Sequence, residues 1–153
     1  MTLGPGTNTI EGLVFGGTVS DIDYVTLNIP DGLWLASIVL DDYSYPAQSN
    51  NSFIAIQAGD TFTEDPNNAN SENLLGATLF GDDKIGTDIL DDLGSGADLG
   101  TTIQGFSGAL TSGAYTLWIQ ETGTDGSAQY DFELTTIVPT NIYLPLTNYE
   151  PAE

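Results

Sequence analysis

The residues of this chain that could do chemistry are almost all carboxylates. Residues 81–100 (GDDKIGTDILDDLGSGADLG) hold six aspartates together with Lys84, the one basic residue of the 153-residue chain. Carboxylate and carbonyl oxygens are the ligands that Ca²⁺ prefers. The stretch lacks, however, the residue order of an EF-hand loop and the glycine repeat of a calcium β-roll. Three explanations therefore stay open: a metal site, a solvated acidic loop, and a surface adapted to a salty medium.

Two groups of aspartates are the candidate calcium ligands. Asp21 and Asp23 stand at positions i and i+2 just before a predicted strand, where both carboxylates could converge on one ion. The alternative is a solvated turn in which Asp23 bonds to its own backbone. The acidic stretch supplies the remaining candidates: Asp82, Asp83, Asp88, Asp91 and Asp92. Calcium is the cofactor that we expect, and the solvated loop stays open for both groups.

The residue inventory argues against an enzyme. The chain has no histidine and no cysteine, so that Ser–His pairs, Cys–His pairs and thiolate metal sites cannot form. Its aspartate neighbours should hold Lys84 protonated. Two carboxylates would suffice for a glycosidase, but 22 acidic residues place some pair at almost any spacing. We therefore expect a non-catalytic protein.

The formal net charge of −21 restricts the partners. Nucleic acid and anionic membrane surfaces would be repelled, and no apolar run reaches membrane-spanning length. Cations, cationic surfaces and neutral sugars remain. Self-repulsion of this size needs screening by salt or by bound cations, which favours a secreted or cell-surface protein of a marine or halophilic medium. Residues 1–6 show no signal peptide, so we expect that a leader is absent from this numbering.

Aromatic residues near the long loops suggest a polysaccharide ligand. Trp34, Tyr43, Tyr45 and Trp118 are the candidates, because exposed rings can stack on the apolar face of a sugar. The alternative is that these rings fill a second layer of the core.

The elements that must position these residues are strands. Short apolar runs rich in Ile, Val, Thr, Tyr and Phe are separated by Gly, Asp, Asn and Pro, which predicts an all-β fold. Tyr115, Leu117 and Ile119 share one face, as do Tyr130, Phe132 and Leu134, which is typical of antiparallel sheets with one buried side. The predicted strands are 9–15, 24–29, 33–40, 52–57, 74–80, 101–106, 114–121, 128–137 and 141–146.

We therefore expect an antiparallel β-sandwich or jelly roll of about eight or nine strands with long acidic loops. The strands 114–121 and 128–137 are expected to form a hairpin. The run 33–40 is apolar on both faces and is expected to be a central strand. Apolar spacings from Ile85 to Leu93 allow one short helix, with Asp88 near its start.

Three segments organise the chain. Residues 1–7 are predicted to be an N-terminal extension, residues 8–137 the sandwich, and residues 138–153 a C-terminal tail. Pro145 in this tail favours an edge strand or an exchanged arm, which could link copies of the chain into a homopolymer.

Five short motifs follow one another between residues 8 and 137: Ile10-Glu11-Gly12, Ser20-Asp21-Ile22-Asp23-Tyr24, Leu27-Asn28-Ile29-Pro30-Asp31-Gly32, the run from Leu110 to Ile119, and Tyr130-Asp131-Phe132-Glu133-Leu134. Their order resembles the bacterial pre-peptidase C-terminal (PPC) domain, a β-sandwich appended to secreted peptidases. The chain departs from the family at 52–56, where an aspartate is missing, and in its long insertions 58–73 and 81–100. The resemblance implies a sandwich without catalytic residues.

Three functions follow as hypotheses. The first is an extracellular accessory or adhesion module stabilised by calcium. The second is a structural subunit of a surface filament or matrix that is assembled by strand addition, and the third is a carbohydrate-binding module.

Overall fold

The computed structural model describes residues 1–17, 21–45, 51–123 and 126–140. In these ranges the chain forms seven strands and one short α-helix. Their order is β1 (Gly6–Gly16), β2 (Ile22–Ile29), β3 (Trp34–Ser44), β4 (Asn51–Ala58), β5 (Gly76–Gly81), α1 (Leu90–Ser95), β6 (Gly113–Glu121) and β7 (Gly126–Ile137). Short 3₁₀ turns occupy Ser71–Asn73 and Asp82–Lys84. None of the helices in the described ranges is long and apolar enough to cross a membrane.

The strands form two antiparallel sheets. The three-stranded sheet has the order β1-β7-β3 and the four-stranded sheet the order β2-β6-β4-β5. The predicted all-β sandwich is confirmed, with fewer strands than expected. The segment 101–106 makes two backbone hydrogen bonds to Leu74 and Leu75, and Gly105 then takes a left-handed φ of 82°, which ends the extended run before a ladder forms. The predicted strand 141–146 lies outside the described residues.

The core lies between the inner faces of the two sheets. The predicted buried faces of β6 and β7 are confirmed, since Leu117, Ile119, Phe132 and Leu134 are all fully buried there. The expected wet side is wrong for β6, because Trp118 on its opposite face is buried as well. Helix α1 closes the core with Leu90 and Leu93, which confirms the short helix. Because each sheet buries one apolar face against the other, this packing is the main source of stability.

A second apolar cluster covers the outer face of the four-stranded sheet. Its buried members are Ala55, Leu74, Ala77 and Trp118. Loop residues pack on it from outside, among them Phe62, Leu99 and Ile103. The segments after β4 and after α1 thus form a partial third layer, and the gaps in this layer leave grooves on the sheet.

The expectation that the run 33–40 is a central strand is wrong. β3 lies at the edge of its sheet, while β7 lies in the centre. The outer edge of β3 is nevertheless covered, because Leu35 exchanges backbone hydrogen bonds with Leu110 and the amide of Ile89 donates to Ile38. This cover satisfies backbone groups that an edge strand would otherwise leave unpaired.

The expected hairpin of the last two strands is also wrong. β6 pairs with β2 and β4, whereas β7 pairs with β1 and β3. The chain therefore changes sheets between Glu121 and Gly126. The two apolar faces oppose each other across the core instead of lying side by side, which alternation alone cannot distinguish.

The first residues of the chain belong to the sandwich. Thr2 bridges Asn28 in parallel fashion, and the amide of Leu3 donates to the carbonyl of Asn28 at 2.9 Å. The side chain of Leu3 is buried in the core. The segment predicted as an N-terminal extension thus begins along the edge of β2, and the chain then enters β1 of the other sheet.

Candidate functional site

A groove on the outer face of the four-stranded sheet brings aromatic rings and a carboxylate together. It encloses about 270 Å³. Its lining residues are Tyr24, Thr26, Asp60, Thr61, Phe62 and Thr116. A volume of this size suits one side chain or one sugar ring better than a drug-sized molecule.

Two neighbouring strands form the floor of the groove. Tyr24 and Thr26 alternate outward on β2, and Thr26 lies directly opposite Thr116 on β6. The loop after β4 is fixed above this floor. The Thr116 hydroxyl donates to the carbonyl of Gly59 at 3.0 Å, and the Thr26 hydroxyl donates to the carbonyl of Asp60 at 3.2 Å. These bonds set the height at which the loop crosses the sheet.

Aromatic contacts continue from the groove along the sheet. The rings of Tyr24 and Phe62 lie 5.5 Å apart between centroids and are tilted by 38°. Phe62 packs edge-on against Trp118 at 5.4 Å, and Trp118 packs against Phe53 at 4.9 Å. Such pairs are each worth about 0.5–1.5 kcal/mol beyond burial. The buried end of this row therefore holds Phe62 in place beside Tyr24, which is 48% exposed.

The polar atoms of the groove are mainly acceptors. The hydroxyls of Thr26 and Thr116 donate to carbonyls of the loop, and the Thr61 hydroxyl donates to Oδ1 of Asp60 at 3.2 Å. Partial burial raises the pKa of the Tyr24 hydroxyl, and the nearby negative charge of Asp65 raises it further. The groove thus holds a carboxylate and acceptor oxygens beside aromatic faces.

A second groove lies on the other side of Trp118. It encloses about 420 Å³ and is mostly apolar. Its lining residues are Phe53, Leu79, Leu99, Trp118, Gln120 and Thr122. The indole N–H of Trp118 is already bonded, since it donates to the side-chain oxygen of Gln120 at 3.1 Å.

The predicted pair Asp21 and Asp23 lies around a buried phenol. The Tyr130 hydroxyl donates to Oδ2 of Asp23 at 2.7 Å and so ties β7 of one sheet to β2 of the other. Burial raises the pKa of Tyr130, and the charges of Asp23 and Asp21 raise it further. Gly12 makes room for this bond, because a Cβ at that position would lie 2.2 Å from the phenolic oxygen.

The side chain of Asp88 joins β3 and α1, because it accepts hydrogen bonds from backbone amides of both. Its Oδ1 accepts hydrogen bonds from the amide of Ile38 on β3 and from the amide of Leu90 at the start of α1, both at 3.0 Å. Asp82 and Asp83 lie exposed in the 3₁₀ turn Asp82–Lys84, and Asp91 is exposed on α1. The structure does not bring these four carboxylates to one point.

Lys84 is the counterion of the acidic stretch. Its Nζ lies 3.0 Å from Asp92 and 2.8 Å from Asp98. Burial lowers the pKa of Lys84, but the hydrogen bonds and charges of Asp98 and Asp92 outweigh it, so that the pKa is raised overall. Asp98 was not among the predicted site residues. Its φ of 68° places it in a turn that the sequence pattern does not mark.

No three carboxylates close enough to hold a metal ion occur within residues 1–17, 21–45, 51–123 and 126–140. Calcium binding by Asp21, Asp23, Asp82, Asp83, Asp88, Asp91 or Asp92 stays a prediction. An ion at any of them would need backbone carbonyls, water, or residues outside those ranges for most of its six to eight ligands.

Two of the four predicted ligand-facing aromatics are buried. Tyr43 is 4% exposed and its hydroxyl is hydrogen-bonded to Ser52 at 3.0 Å, while Trp118 is 5% exposed. Tyr45 is half-buried beside Tyr43. Trp34 is exposed at the start of β3. Tyr43 lies in the core between the sheets, and Trp118 lies in the apolar cluster on the outer face of the four-stranded sheet. Both rings are therefore packed, as in the alternative of a filled second layer.

Sequence analysis missed Tyr24, Asp60 and Phe62. The outward position of Tyr24 could have been predicted, because Val25 and Leu27 on the same strand are apolar and face the core, so that Tyr24 must face the opposite side. Phe62 is the one aromatic residue in the polar loop 58–73, which is also a signal. That the two rings meet depends on the loop's hydrogen bonds to β2 and β6, which no local pattern reveals.

No family model, no curated protein and no solved structure matches the chain. The resemblance to the PPC domain stays a prediction, and the function must be argued from the site itself.

Proposed function

We propose that the chain is a non-catalytic binding module of the accessory or adhesion kind, which acts outside the cell. Its binding face is the outer face of the four-stranded sheet. The observation that carries this proposal is the groove in which the half-exposed ring of Tyr24 lies beside Phe62 and Asp60. Ligand sites are concave and combine aromatic surface with a few polar groups, and this groove has that composition.

The residue inventory supports a non-catalytic role. The His and Cys side chains, which serve many enzymes as base and nucleophile at neutral pH, are absent from the sequence. The titratable groups that line the groove are Asp60 and Tyr24. One carboxylate and one phenol of raised pKa are suited to holding a ligand and poorly suited to activating water.

The charge supports an extracellular location. With 22 acidic residues and one lysine, the folded chain repels itself unless ions screen it. Saline or calcium-containing surroundings provide that screening, and calcium would stabilise the fold by binding acidic turns. A thermal melt with and without calcium tests this part, and a melting point that neither calcium nor a chelator changes would contradict it.

A second candidate function is a filament or matrix subunit. β1 is 11 residues long and lies at the edge of its sheet. Along its outer edge, one backbone hydrogen bond is seen within the described ranges, from Asp21 to the carbonyl of Phe15. Leu13 and Phe15 are also exposed there. A long open edge can accept a strand from another copy.

The donor expected for this assembly is the tail 138–153, of which residues 141–153 lie outside the described ranges. Size-exclusion chromatography of the chain with and without residues 138–153 tests it. An assembly that forms with the tail and is lost without it supports the filament hypothesis. A monomer with and without the tail excludes that hypothesis.

The binding proposal is tested on arrays of glycans and peptides. We expect at least one ligand class to bind the folded chain and to be lost with Tyr24→Ala. Phe15→Ala is the matched control, because Phe15 is exposed to a similar extent on the opposite sheet. An array without any ligand, or a ligand that both variants lose equally, would contradict the proposal.

A further inference from the structure

We infer that the groove between Tyr24 and Phe62 binds the cationic side chain of a basic protein segment, a lysine ammonium or an arginine guanidinium. This inference rests on the proposed function, because it names the ligand class of the same groove.

The hydrogen-bonding inventory of the groove is the first argument. The Thr26 and Thr116 hydroxyls donate to the loop backbone, and the Thr61 hydroxyl donates to Asp60. Apart from the Tyr24 hydroxyl, which can also donate, the side chains of the groove therefore offer the ligand acceptors. A sugar hydroxyl both donates and accepts, whereas ammonium and guanidinium groups only donate. The groove matches a ligand that only donates.

The aromatic geometry is the second argument. The rings of Tyr24 and Phe62 both line the groove, where they contact each other at a centroid distance of 5.5 Å with a tilt of 38°. A cation within about 6 Å of a ring centroid is attracted to the negative face of the ring. The volume of about 270 Å³ accommodates the end of one long side chain.

Charge is the third argument. Asp60 lies in the wall of the groove, and Asp65 lies close enough to Tyr24 to act on its hydroxyl. Lys84, the one basic side chain of the chain, is paired with Asp92 and Asp98. The net charge of −21 attracts basic proteins over a distance and disfavours acidic ones.

The test is a titration of the ¹⁵N-labelled full chain, followed by NMR in about 150 mM NaCl, where charges beyond about 8 Å are screened. The first probe is an end-blocked tripeptide with a central lysine. Its Nε-acetyl-lysine counterpart is the neutral match, and cellohexaose is the saccharide probe. We expect the lysine peptide to shift the amide signals of residues 59–63 saturably, and neither of the other probes to do so.

Variants locate the effect. Tyr24→Ala and Asp60→Asn should each lower the affinity for the lysine peptide by about fivefold. Tyr24→Phe keeps the ring and should bind the peptide as tightly as the parent chain does. Phe15→Ala on the opposite sheet should change nothing. Asp60→Asn keeps the inference testable if Tyr24→Ala impairs folding, which a thermal melt reports.

Three outcomes would overturn the inference. The acetylated peptide binds as tightly as the lysine peptide, the shifts spread over the acidic surface without saturation, or none of the three probes shifts the signals of the groove. Groove shifts with cellohexaose alone also overturn it but leave the proposed binding function standing. The proposed function fails separately, if the arrays show no ligand that depends on Tyr24.

Discussion

Removing one negative charge from the three-stranded sheet should stabilise the protein. Asp131 lies on the central strand β7, directly opposite Glu11 on β1 and Asp42 on β3. Its Oδ1 is buried and has no hydrogen-bond partner among the described residues. Burial raises the pKa of Asp131, and the charges of its acidic neighbours, Glu11 first, raise it further. The folded state therefore holds this carboxylate at a cost.

The size of the effect follows from the two cross-strand pairs. Opposite charges in such a pair gain about 0.2–1 kcal/mol, and like charges lose a similar amount. Asp131→Asn removes both repulsions and lets the new amide donate to Glu11 or Asp42. We expect the free energy of unfolding to rise by about 1 kcal/mol at neutral pH and low salt, which is a rise in Tm of about 2–4 °C for a chain of this length.

The pH dependence has a definite sign. A carboxyl group whose pKa is raised by folding destabilises the fold when it is ionised. The cost is therefore full above the raised pKa of Asp131, falls as the pH drops through it, and is gone below the ordinary value of 3.8. The advantage of Asp131→Asn should disappear toward that pH. It should also shrink in about 1 M NaCl, where the Debye length is about 3 Å.

Urea unfolding of both proteins across pH and salt measures this difference. Asp31→Asn is the matched control, because Asp31 is exposed in the turn before β3 and its loss changes the net charge equally. A destabilised Asp131→Asn, or an equal gain in Asp31→Asn, would refute the argument. So would a gain that persists unchanged in acid and in high salt.

Three further substitutions, with Gly4→Ala as the control for the first, test the packing and the charge pairs. Gly12→Ala should lower the free energy of unfolding by about 1–3 kcal/mol, because its Cβ would lie 2.2 Å from the phenolic oxygen of Tyr130. Gly4→Ala should stay within about 0.5 kcal/mol, since the nearest atom to its Cβ is 3.7 Å away. Tyr130→Phe should cost about 1–3 kcal/mol in urea unfolding, because Asp23 loses its donor. Lys84→Met should cost at most about 1 kcal/mol, and the cost should fall as salt is added to the melt.

Each of these outcomes can be contradicted. Equal stability of Gly12→Ala and Gly4→Ala would mean that β1 and Tyr130 do not approach as described. An unaffected Tyr130→Phe would remove the tie between the sheets, and a cost for Lys84→Met that does not depend on salt would argue against its ion pairs.

Alternation along a strand predicts which side chains are buried but not which strand lies beside it. The buried faces of β6 and β7 followed from Leu117, Ile119, Phe132 and Leu134, and the structure places all four in the core. Their distribution over two sheets did not follow, because a face can be buried by a neighbour of either sheet.

Long-range contacts limited the prediction of the site in the same way. Two aspartates at i and i+2 suggested a shared ion, but the partner of Asp23 is Tyr130, 107 residues away in the chain. The outward position of Tyr24 follows from the pattern of β2. The position of Phe62 depends on a loop fixed by Thr116 and Thr26, and no local pattern gives that.

The most direct measurement is a set of intermolecular NOEs between the chain and the lysine tripeptide. The account predicts contacts from the ε-methylene protons of the lysine to the ring protons of both Tyr24 and Phe62. Contacts to Trp34 or Phe15 instead, or to no aromatic ring, would contradict it.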